Sequence, residues 1–74
     1  MSATAPPIPG PHPADAEEVA WALSTAATLR AEGEHGRAAQ WVRRAADRAR
    51  EVGHASRAAD LDHTADALAA ASDA

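Results

Sequence analysis

Catalysis needs a nucleophile, a proton-transfer group or a metal cradle held beside its partners. The chain offers few such groupings. Asp60 and His63 stand three residues apart, a spacing that shares one face of a helix, while His35 and His54 each lie close behind a glycine. A metal needs three or four converging ligands, and neither HxxxH nor HExxH spacing occurs. Ser24, Thr25, Thr28, Ser56 and Thr64 supply hydroxyls, but none stands in a glycine elbow. No glycine-rich phosphate loop is present either. Surface exposure or helix capping accounts for these residues, and the expectation is no catalytic, cofactor-binding or metal-binding residue and no cofactor.

Binding chemistry is better represented. Arg37, Arg44 and Arg48 recur at helical spacing and make a basic face. Such a face can meet an acidic protein, nucleic acid or neighbouring carboxylates of its own chain. Trp21 lies away from the apolar stripe of its helix, beside Thr25 and Thr28. An indole in that position suits an interface anchor. It equally suits a helix buried on two sides, or cover from a folded-back lead-in. Trp41 falls nearer its own apolar stripe and reads as structural.

Three helices must carry these residues. Proline bars helix from residues 1–13, MSATAPPIPGPHP, which read as a disordered lead-in. Its proline cluster could also serve as a polyproline ligand. The first helix is expected over about 15–32. Asp15 and Glu18 have capping-box spacing, and Val19, Leu23, Ala26 and Arg30 recur at helical spacing, flanked by Ala22 and Leu29. Gly33 stops it. The second, over about 36–52, has a stripe of Ala38, Val42, Ala45, Ala49 and Val52. Gly53 stops it, and glycine after a helix takes the left-handed conformation at little cost. The third, over about 55–71, has Ser56 as a plausible cap and Ala58, Leu61, Ala65, Leu68 and Ala69 inside. Links this short make sequential helices antiparallel neighbours. The fold class is therefore all-α, a three-helix antiparallel bundle over residues 14–72.

Composition narrows the class further. With 74 residues there is room for one domain. Hydrophobic residues make up 46%, mostly alanine, so the core is thin and a partner or self-association could complete it. No cysteine means no disulfide and no thiolate site. The absence of a charged leader and of a long apolar run suggests a cytoplasmic protein with no membrane partner. A net charge of −4 argues against nucleic acid as the main partner. All seven basic residues are arginine. Together with the alanine excess this points to a high-GC bacterial genome, by codon bias rather than by physics. The middle helix is basic and its neighbours acidic, a complementary arrangement whose exposed pairs contribute about 0–1 kcal/mol each.

Sliding the chain by twenty residues matches part of it to itself. Arg30, Gly33, Arg37, Ala38, Ala39, Ala45 and Ala49 fall on Arg50, Gly53, Arg57, Ala58, Ala59, Ala65 and Ala69, with Trp21, Trp41 and Leu61 in one register. Chance agreement between alanine-rich helices would give a similar match. Within this pattern, residues 19–47 resemble a single tetratricopeptide repeat. The match runs through Ala26, Leu29, Gly33, Glu34, Ala38, Val42 and Ala45. Ala22 stands where the family has an aromatic, and no proline follows the second helix. The resemblance implies a helix-turn-helix hairpin with the third helix as its cap, and protein binding as its use.

These readings converge on a non-catalytic adaptor or scaffold module that binds a partner protein or itself. Its contact residues would be Trp21, Thr25, Thr28, Arg37, Arg44 and Arg48. The alternative is a small regulatory nucleic-acid-binding module that reads through the basic second helix.

Overall fold

The computed structural model describes Ile8 and residues 15–72. Three helices follow one another: α1 (Glu17–Ala31), α2 (His35–Glu51) and α3 (Ala55–Ser72). The fold is the expected all-α three-helix bundle. Both interhelical links end in the same way. Gly33 and Gly53 take φ of +82° and +86°. Gly33 N donates to Arg30 O and Glu34 N to Leu29 O. Twenty residues on, Gly53 N donates to Arg50 O and His54 N to Ala49 O. This pair of bonds, closing the carbonyls of the last turn behind a left-handed glycine, is the Schellman arrangement.

The helix starts differ from the sequence reading. The N-cap of α1 is Ala16, and no side chain caps it. Both members of the expected capping box are drawn to other helices instead. The Asp15 carboxylate accepts from Arg57 Nε at 3.3 Å and Nη2 at 3.1 Å, and Glu18 lies beside Arg48 of α2. The Asp15 side chain is only 2% exposed, and a shielded carboxylate is served better by a guanidinium fork than by one backbone N–H. Ser56 is not a cap either. It sits exposed inside the first turn of α3, whose first helical bond runs from Ala58 N to His54 O.

Helix α2 lies between the other two. It packs against both, whereas no Cα of α1 comes within 8 Å of one in α3. Its buried set is almost all alanine: Ala38, Ala39, Val42, Ala45, Ala46 and Ala49. The bulk comes from the flanking helices, with Val19 and Leu23 on α1 and Leu61 and Leu68 on α3. Small side chains in the middle helix let both neighbours approach closely. Val52, expected in the core, is the C-cap of α2 and is exposed. Ala69 is half-buried at the core's edge.

Charge links α2 to α3 as the sequence implied. Arg43 donates to Asp66 at 2.9 Å, and Arg50 pairs with Asp62 and Asp47. The disordered lead-in expected over residues 1–13 lies outside the described residues except at Ile8. There the side chain is half-buried and packs against the core.

Candidate functional site: a tryptophan and arginine surface

The bundle brings together residues from α1 and α2 that the sequence treats separately. Wheel position puts Arg37, Trp41, Arg44 and Arg48 on one stripe of α2, at steps of four, three and four residues. Because α1 runs antiparallel beside α2, Trp21 arrives at the level of Trp41. Their ring centroids are 5.1 Å apart and the planes meet at 80°. This edge-to-face contact is worth about 0.5–1.5 kcal/mol beyond area burial. The Arg44 guanidinium carbon sits 4.9 Å from the centroid of Trp41, within cation–π range. Trp41 is half-buried and packs on the core, while Trp21 remains 62% exposed. Both rings line a recess of about 180 Å³ that Glu18, Ala22, Arg44 and Arg48 complete.

The arginines of α2 are not equivalent. Arg48 Nη1 donates to Glu51 at 2.9 Å. Its Nε, shielded from solvent, stands 3.3 Å from Glu18 Oε2 without the alignment of a hydrogen bond. The hydrogen bond that Arg48 donates to Glu51 and then the charge of Glu18 raise the Arg48 pKa above its ordinary value. Arg48 therefore braces α1 against α2, and its charge is answered within the chain. Arg37 and Arg44 are exposed, with no carboxylate within ion-pair distance among the described residues. Thr25 Oγ1 donates to Trp21 O at 3.0 Å, and Thr28 Oγ1 to Ser24 O at 3.3 Å. Both hydroxyls are turned back onto their own helix and leave an uncharged border along α1.

The structure thus gathers Trp21 and Arg44 around Trp41, with Thr25 one turn along α1 and Arg37 one turn along α2. Trp41, structural by its place beside the apolar stripe of α2, is also the centre of this surface. The signal for it lay in the Arg37–Trp41–Arg44–Arg48 spacing, which places the indole on the basic stripe. Glu18 has the sequence spacing of a capping residue and instead lines the recess.

Other groups remain apart. His63 is exposed, and His35 and His54 are half-buried near the two links. Among the described residues no three of His, Asp and Glu come together as a metal site. Thr64 Oγ1 donates to Asp60 O, a back-bond within α3. No described helix is long and apolar enough to cross a membrane. No protein-family model, curated protein or solved structure matches the chain.

Proposed function

We propose that the chain is a non-catalytic interaction module that binds a partner protein through the surface built on Trp21. The observation that carries this reading is an indole left 62% exposed yet held in place by a second indole. An exposed aromatic that is already ordered gives up little side-chain entropy on binding. It gains the burial of a large apolar area. Tryptophan and arginine are the residue types that most often dominate binding energy at interfaces. Arg37 and Arg44 would speed encounter with an acidic partner more than they would tighten the complex. Thr25 and Thr28 would form the uncharged rim.

A tetratricopeptide-type hairpin with α3 as its cap is the architecture we propose for this module. It is supported by the burial of Ala26, Ala38, Val42 and Ala45 and by Gly33 at the turn. The nucleic-acid reading has less support. Arg43, Arg48 and Arg50 are each occupied by carboxylates of the chain itself, which leaves few cations to neutralise phosphates.

The test is a paired capture with wild-type protein and Trp21→Ala as baits. A protein recovered by the wild type should be lost with Trp21→Ala, while far-UV circular dichroism shows both baits equally helical. Recovery of the same proteins by both baits, or of none by either, would remove Trp21 as the anchor.

A further inference from the structure

The surface has a polarity and a spacing that restrict what fits it. Trp41 stands four residues after Arg37 and three before Arg44. Arg37 and Arg44, which have no carboxylate partner among the described residues, therefore bracket Trp41 in sequence along α2. Seven residues of helix separate their Cα atoms by roughly 10 Å. A ligand that answers both offers two carboxylates on one side, spaced on the order of the 10 Å between those Cα atoms, with an apolar group between them. An extended strand cannot do this well. Residues three apart span about 10 Å in a strand but point to opposite faces. In a helix, residues i and i+7 span the same distance on one face, with i+3 or i+4 between them.

Resting on the module reading above, we infer that the partner segment is an acidic amphipathic helix lying along the α1–α2 face. It carries Asp or Glu at i and i+7 and a large aliphatic or aromatic residue at i+3 or i+4. The apolar residue sits against Trp21 and the free edge of Trp41. The two carboxylates meet Arg37 and Arg44. Arg48, already held by Glu18 and Glu51, fixes the recess and recruits no further anion. Along α1, Thr25 and Thr28 are neutral on the Arg37 side of Trp21, and Glu18 on the other side is answered by Arg48.

The probe is a displayed library of helical peptides with randomised surface positions. It is selected on wild-type protein and counted again on Trp21→Ala and on Arg37→Glu with Arg44→Glu. Selected peptides should carry an acidic pair seven residues apart around an apolar residue. Their binding should fall at least tenfold with either variant, and Trp21 and Trp41, the chain's two tryptophans, should change fluorescence on binding. Trp21-dependent peptides without an acidic pair, or peptides indifferent to the charge reversal, overturn the inference but leave the module reading in place. Failure to select any Trp21-dependent peptide overturns both. Selection of basic peptides, concentration-dependent dimerisation through Trp21, or binding of a DNA duplex in its place would equally overturn it. Far-UV circular dichroism of each variant separates loss of binding from loss of fold.

Discussion

At the scale of single residues, the most constrained polar contact is between Asp15 and Arg57. It joins the entry to α1 with α3 across 42 residues of sequence, and α1 and α3 have no other close approach of backbone. The Asp15 side chain is 2% exposed and that of Arg57 22%. Removing the guanidinium takes two donors from a shielded carboxylate, which costs about 1–3 kcal/mol. Arg57→Ala should therefore lower the urea midpoint clearly. Asp15→Ala combined with Arg57→Ala should lower it by less than the sum of the two single changes, since each single change already removes the contact between them. Strict additivity in this cycle would mean that the two side chains do not support one another. Neither partner was legible in the sequence. Asp15 had the local spacing of a cap, and local spacing cannot report a guanidinium delivered by a helix two links away. Trp21 was legible as an outlier from its stripe, but its contact with Trp41 required the antiparallel register of α1 and α2.

At the scale of elements, the helices and their stops were the most readable part of the chain. Gly33 and Gly53 each follow a stripe that ends, and each adopts positive φ. Helix starts were read less well because Ala16, Glu34 and His54 carry the cap positions without strong cap chemistry. A Cβ built on Gly33 or Gly53 meets no atom within 4 Å, so substitution at either is opposed by backbone conformation alone. A non-glycine residue in the left-handed region costs about 1–2 kcal/mol. Gly33→Ala and Gly53→Ala should each lower Tm by roughly 4–16 °C, on a scale of about 4–8 °C per kcal/mol for a domain of this size. The turns form no common contact, so the double variant should show the sum. Calorimetry of the three variants checks this. An unchanged Tm for either single variant would mean that its turn relaxes to negative φ without loss. The twenty-residue repeat holds for these turns and for the buried pairs Ala38/Ala58 and Ala45/Ala65, but not for the register of the tryptophans. Leu61 shares its register with Trp21 and Trp41, yet it is wholly buried while Trp21 is 62% exposed. An outer helix and a middle helix bury different arcs, and a sequence offset does not distinguish them.

At the scale of the whole molecule, stability depends on the middle helix being thin. Helix α2 is buried on both flanks through five alanines and one valine, and the four leucines and valines that fill the core arrive from α1 and α3. Volume is thus divided between large outer and small inner side chains, and a change on either side should be felt. Leu61 is fully buried, and Leu→Ala in a core costs about 2–5 kcal/mol. Ala46 is equally buried, and enlarging it to leucine forces the outer helices away from α2 at a cost of about 1–3 kcal/mol. A domain of this length has little to lose, with total stability at about 0.05–0.15 kcal/mol per residue. Leu61→Ala and Ala46→Leu should each shift the urea midpoint strongly downward, whereas Ala27→Leu, at an exposed position of α1, should leave it nearly unchanged. The three together discriminate between packing models. If Ala46→Leu is tolerated as well as Ala27→Leu, the helices do not approach α2 through its alanines. Sensitivity at Leu61 alone would then describe a core held by the outer leucines, with α2 loosely inserted between them.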